Sequence, residues 1–234
     1  MYQNTILKTA EQGKLLSFNT QNLSQLFPGF TIGDFTVLYG SKSVLSLSSL
    51  LCVRAQLPPQ LGGLGSSVVF VDGGNSFKLY QIARLARLHN LNPDKILKKI
   101  HIARAFTAYQ MTSLILEKLK ETVSRCDAKL VIISDILTKS SDNQVDREEM
   151  CVIYKQIIGY LKRFAKENNV LVIVTENSET EDRFLRDMIV KKADTVIRIN
   201  QSKYEKEFVL EKHPSYVLGT ANYDSEVTTL NSFM

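Results

Sequence analysis

One stretch of this 234-residue chain carries the residue types that grip a phosphate. It reads Gly40-Ser41-Lys42-Ser43-Val44-Leu45-Ser46-Leu47 and follows a short apolar run. Phosphate-gripping loops have the form GxxxxGK[ST]: backbone N–H groups cradle the oxygens, the lysine reaches the outer phosphates, and the hydroxyl holds Mg²⁺. Gly40, Lys42 and Ser43 are therefore candidate nucleotide-binding residues. The second glycine is missing, however, and Gly-Lys-Ser/Thr occurs nowhere in the chain. Counted forward from Gly40, Ser46 stands where the lysine belongs, and Lys42 falls at the wrong turn of the loop. Other chemistries have less to build on. His89, His101 and His213 are scattered and read as packing residues. Cys52, Cys126 and Cys151 lack CxxC spacing, which argues against a zinc site or a disulfide framework. Cys52 and Cys126 adjoin apolar segments and read as buried thiols. No metal or cofactor is expected.

These residues need a scaffold, and the apolar pattern supplies one. Short β-branched runs at Val68–Val71, Leu130–Ile133 and Val170–Val174, with Phe35–Leu38 and His101–Ala103, read as buried strands. Between them lie segments with helical spacing: residues 44–57, 79–91, a stretch opened by Asn92-Pro93-Asp94, 109–125, a long amphipathic run around 150–165, and a short one at 180–190. Thr195–Ile199 and Glu207–Leu210 read as two antiparallel strands joined by the polar turn Asn200–Lys203. Strands alternating with helices predict an α/β fold, a mostly parallel central sheet with helices on both faces and an antiparallel edge hairpin. Residues 1–14 read as a polar arm and 15–234 as one core domain.

Hydrophobic residues make up 44% of the chain and charged residues 23%, as in an ordinary globular protein. No apolar run approaches the roughly 20 residues that span a bilayer. The start lacks the apolar stretch of a secretory signal. A cytoplasmic protein without membrane contact is expected. The net charge of +5 leans toward a polyanionic partner such as nucleic acid.

Residues 53–111 carry a family likeness. Gln56–Leu64 forms a QLPP-x-x-GGL loop, Asn92–Ile100 reads N-P-D-K-I-L-x-x-I, and Ala103–Met111 reads A-R-A-F-x-x-x-Q-M. This text resembles the archaeal RadA recombinases, and the likeness extends over most of the chain from about residue 15. It implies a RecA-type P-loop NTPase core with its active site at the carboxyl ends of the parallel strands. RadA's amino-terminal helix-hairpin-helix domain is expected to be missing.

The resemblance also says which residues the chemistry would need. Counting back without gaps from the QLPP loop puts Val44 at the lysine position. RadA follows its second strand with Asp-Thr-Glu, whose Glu activates the attacking water; here the tripeptide is Asp72-Gly73-Gly74, and glycine offers no base. The Walker B Asp position is Ser134, with Asp135 next to it; strand alternation would point Asp135 to the opposite face unless the register slips by one residue. RadA's γ-phosphate-sensing Thr-Asn-Gln reads Thr175-Glu176-Asn177.

Two loops bind DNA in RadA. Their counterparts make Lys139, Arg147, Arg183 and Arg186 candidate DNA-binding residues, with Lys191 and Lys192 as an alternative basic patch; both loops also carry acids, so neither is a clean basic stripe. Family members polymerise by placing a Phe-x-x-Ala motif on a neighbour, and Leu7-Lys8-Thr9-Ala10 resembles it, making Leu7 and Ala10 candidate docking residues. The expectation is a pseudo-ATPase: a non-catalytic RadA paralogue serving recombination and repair, which binds RadA, another copy of itself, or single-stranded DNA. The alternatives are a weak DNA-dependent ATPase using Lys42 and Asp135, and a structural subunit of another complex.

Overall fold

A computed structural model describes residues 15–19, 21–136, 146–177, 183–202 and 206–223. An eight-stranded sheet runs through the molecule in the order β10-β9-β8-β3-β7-β6-β4-β5. Its strands are β3 (Phe35–Gly40), β4 (Ser67–Asp72), β5 (Ile100–Arg104), β6 (Ala128–Ser134), β7 (Leu171–Asn177), β8 (Thr195–Gln201), β9 (Lys206–Lys212) and β10 (Gly219–Tyr223). The pairings from β8 to β5 are all parallel. β9 is antiparallel to both β8 and β10. The expected hairpin is present, but β10 lies outside it and forms that edge of the sheet.

Strand alternation divides the core into two layers. Val68, Phe70, Leu130, Ile132, Leu171 and Ile173 face one layer, which is closed by α2 (Ser43–Arg54), α3 (Leu79–Leu88) and α4 (Pro93–Lys98). Val69, Val71, Val131, Ile133, Val172 and Val174 face the other. That side is closed by a helical run, Ala108–Cys126, and by α7 (Arg147–Asn168) and α8 (Arg183–Lys192). The run comprises α5 (Ala108–Ser113), a π-turn at Leu114–Lys118 and α6 (Leu119–Cys126). Burial on both faces explains why the central strands are continuously apolar.

The sequence reading passed over the amino-terminal part of this layer. A two-residue ladder, β1 (Leu15–Leu16) with β2 (Phe30–Thr31), and a short helix, α1 (Gln21–Leu26), bring Phe18, Phe27 and Phe30 against Phe208 of β9. These four rings are almost wholly buried. Of the cysteines, Cys52 is buried as expected and its thiol is pushed well above the ordinary range by that burial. Cys126 is only half-buried, because α6 ends there at the rim of the layer. Among the described residues no helix is long and apolar enough to cross a membrane.

Arg54 shows what the QLPP-x-x-GGL loop is for. Its guanidinium is buried, with 1% of the residue exposed, and has backbone carbonyls for partners: Nε donates to Ser17 O and Nη2 donates to Leu61 O at 2.8 Å. Burial lowers its pKa to about 10. Gln56 Nε2 donates to Cys52 O and Ile96 O, both at 3.1 Å, and ties the loop to α4. The motif therefore folds back on the end of α2 and fastens three segments to it.

Candidate functional site at the carboxyl ends of the strands

β3 ends at Gly40 and α2 begins at Ser43, so only Ser41 and Lys42 connect them. A phosphate-gripping loop needs four residues between its glycines before the lysine is reached. Here the space is too short, and the turn's groups are engaged elsewhere. Ser41 N–H donates to Ile199 O at 2.8 Å, Val44 N–H to Ser41 O at 3.0 Å, and Leu45 N–H to Lys42 O at 3.1 Å. Gly40 has φ +122°, and a Cβ there would lie 2.2 Å from Ile199 O, so glycine is required by the approach of β8. The Ser43 hydroxyl donates to Gln201 Oε1 at the end of β8. Lys42 is exposed, just ahead of the helix.

The count made back from the QLPP loop puts the lysine position at Val44. Val44 is the second residue of α2 and is fully buried in the apolar layer. Ser46, the other candidate for the lysine position, lies further inside the helix.

The turn after β4 is closely packed. Asp72, at the end of β4, is buried, and its Oδ1 accepts from Ser76 N–H at 2.7 Å. Ser76 Oγ donates to Ser134 Oγ at 2.7 Å, and Ser134 Oγ lies 3.2 Å from Asp72 Oδ1. Oδ2 accepts from Phe77 N–H at 3.2 Å and sits 3.4 Å from Arg104 Nε. The aspartate thus organises its own turn and is spanned by β5. A Cβ on Gly73 would meet Ser134 O at 2.7 Å and Asp135 O at 2.8 Å, and one on Gly74 would meet Asp135 Oδ2 at 2.3 Å. Where the family carries Thr-Glu, there is no room for side chains.

Asp135 corrects a simpler expectation. Alternation placed its side chain on the far face, but alternation holds only while the chain stays extended. β6 ends at Ser134, Asp135 has φ +50°, and its N–H donates to Thr175 O at 2.8 Å. The left-handed turn brings the buried carboxylate against Gly74. Thr175 and Glu176, at the end of β7, are buried, and Asn177 is half-buried.

The candidate DNA residues that are described do not form one surface. Arg147 opens α7 and Arg183 opens α8, both exposed. Arg186 is half-buried with its guanidinium 5.6 Å from the centre of the Tyr39 ring. Lys191 and Lys192 close α8 at the opposite end of the sheet, ahead of β8. Lys139, Leu7 and Ala10 lie outside the described residues. Sequence reasoning missed Ser76, Arg104 and Gln201; only the Asp72-x-x-x-Ser76 spacing hinted at a side-chain-capped turn. Among the described residues no group of three or more His, Cys, Asp or Glu is placed to hold a metal ion.

A parallel sheet with helices on both faces, a strand–turn–helix at Gly40 and a strand ending in Ser134-Asp135 define a RecA-type core. The chain belongs to the Rad51 family, whose model matches residues 15–192. It is similar to the "Meiotic recombination protein DMC1" of Saccharomyces cerevisiae, at 26% identity over 165 residues, which cover 69% of this chain and 46% of that protein. The chain therefore spans less than half the length of this relative.

Proposed function

We propose that this chain is a non-catalytic member of the Rad51 family, a pseudo-ATPase that acts as an accessory protein in homologous recombination and DNA repair. It binds a RadA-type recombinase, single-stranded DNA, or both. One observation supports the loss of catalysis: the connection from Gly40 to α2 is two residues long, and Val44, which the count back from the QLPP loop puts at the lysine position, is buried in the core. Phosphoryl transfer depends on positioning and electrostatics, so a missing cradle and lysine remove its main contributions. The crowding at Gly73 and Gly74 supports the same reading.

Association is supported by the far edge of the sheet. β5 is an edge strand, and Ile102 on it is 45% exposed; Phe106 and Tyr109, which follow it in the chain, are exposed too. An unpaired edge with apolar side chains accepts an added strand. It suits an arm such as Leu7–Ala10 from another subunit. An interface shape of this kind can persist after catalytic groups are lost.

The experiment is capture of a purified RadA-type recombinase by the tagged chain, with and without ATP. Capture that does not need ATP, and that weakens on Leu7→Ala with Ala10→Glu or on Ile102→Glu, is the expected result. No capture, together with no binding of single-stranded DNA, overturns the reading.

A further inference from the structure

At the amino ends of β3, β7 and β8 a groove of about 550 Å³ opens between α7, the Gly33-Asp34 turn and the end of α8. The site described above lies at the other end of the same strands, roughly 20 Å away for strands of six or seven residues. Gly159, Lys162, Arg163 and Lys166 form one wall, and Lys192 stands on the other. Four cations thus line the groove against two carboxylates, Asp34 and Asp194.

Two of these charges are committed to the fold. Lys162 Nζ donates to Asp194 Oδ1 and to Lys192 O, each at 2.8 Å, and Asp194 Oδ2 accepts from Phe35 N–H at 3.1 Å. Arg163, Lys166 and Lys192 are exposed and form no ion pair among the described residues. Residues 159, 162, 163 and 166 share one face of α7, where like charges cost stability. The helix dipole near its carboxyl end offsets part of that cost, but it does not explain the glycine.

Gly159 sits inside a 22-residue helix, where glycine costs about 1 kcal/mol relative to alanine. A Cβ there would touch nothing within 4 Å, and no positive φ calls for glycine, so neither packing nor backbone requires it. Gly33 across the groove is accounted for by its φ of +95°. Gly159 leaves backbone bare where a ligand would pass. The lining contains no aromatic ring, so a base has nothing to stack on.

We propose that this groove holds the sugar–phosphate backbone of a single-stranded nucleic acid, with Arg163, Lys166 and Lys192 contacting phosphates and Lys162 fixed as a structural cation. The cations line a channel from two walls, and the contacts would be independent of sequence. The proposal rests on the nucleic-acid part of the reading above. It places those contacts away from the loops that follow β6 and β7.

The test is fluorescence anisotropy of the full chain with a labelled oligothymidylate across a salt series. Each phosphate contact contributes about 0.7 to the log–log salt slope for a single strand. The triple variant Arg163→Gln, Lys166→Gln, Lys192→Gln should therefore bind at least about tenfold more weakly, with a slope flatter by about 2. Asp34→Asn should bind more tightly. Lys95→Gln, Lys98→Gln, Lys99→Gln removes the same charge around α4, beside the β5 edge of the sheet and outside the groove, and should leave the slope unchanged. The proposal is overturned if the groove variant binds like the parent, if the control loses as much, or if the parent binds no oligonucleotide. Equal affinity for inorganic pyrophosphate, lost in parallel, would make this a free-phosphate site and also overturn it. Recombinase capture is scored separately: its loss with oligonucleotide binding retained sinks the accessory role and leaves the groove standing.

Discussion

Gly74 and Asp135 occupy adjoining space so closely that a Cβ on the glycine would lie 2.3 Å from the aspartate Oδ2. The two positions belong to different strands' ends, yet they have to change together. Gly74→Glu, which restores the family's acid, should destabilise the chain by about 2 kcal/mol or more, as overpacking does. Adding Asp135→Gly should recover much of that loss, because glycine removes the carboxylate and tolerates the left-handed backbone. A double-mutant cycle in urea measures the coupling; additive losses would mean that the two do not compete. Gly73→Thr should find no such rescue, since it meets backbone carbonyls.

Nucleotide binding is checked by thermal melting. A ligand that binds only the native state raises its stability by RT ln(1 + [L]/Kd). Millimolar MgATP is expected to leave the melting temperature unchanged, and Lys42→Ala is expected to melt like the parent in either condition. A rise with MgATP that Lys42→Ala abolishes would restore the weak-ATPase alternative.

Arg54 anchors the QLPP-x-x-GGL loop and the chain at Ser17 through two carbonyls. Arg54→Ala should cost about 3 kcal/mol, from lost packing and two carbonyls left without their donor. Arg54→Lys should restore little, because a single ammonium does not reproduce the guanidinium fork. Urea unfolding measures both, and a loss below about 1 kcal/mol for the alanine variant would refute the anchoring role.

Asp34 gives the fold a pH dependence of unusual sign. Burial raises its pKa from 3.8 to about 6, the nearby Asp194 carboxylate adds to this, and Lys162 opposes it. Between those values the folded chain keeps a proton that the unfolded chain has released. This contribution is therefore fully present below pH 3.8 and is lost as the pH rises through 6. Asp34→Asn should melt a few degrees higher than the parent at pH 7.5, since solvent screens a half-exposed group. Near pH 3, below both values, the two should coincide. Equal melting at both pH values would show that Asp34 does not carry the effect.

The central strands and helices were legible because burial on both faces forces continuous apolar runs, and Val68–Val71 or Val170–Val174 have few other readings. The amino-terminal layer was not, because Phe18, Phe27, Phe30 and Phe208 are too scattered along the chain to show any period. β10 was missed for a related reason: Gly219–Tyr223 is short and pairs only with β9. The changed residues of the candidate site could be read position by position. The short turn could not, since counting from either side gave two different lysine positions, Val44 and Ser46, and both lie inside α2. Asp135 was placed on the far face by a rule that ends where the strand ends.

A connector's length is not a side chain, and it is not restored by exchanging one residue for another. Because Ser41 and Lys42 alone join β3 to α2, a phosphate loop of the GxxxxGK form would require inserting residues and moving the helix start outward. Val44 would also have to leave the interior. On the pseudo-ATPase reading proposed above, reversion by single-codon changes is therefore blocked. On that reading, adenosine-mimicking inhibitors built against active members of the family are expected to leave this protein untouched.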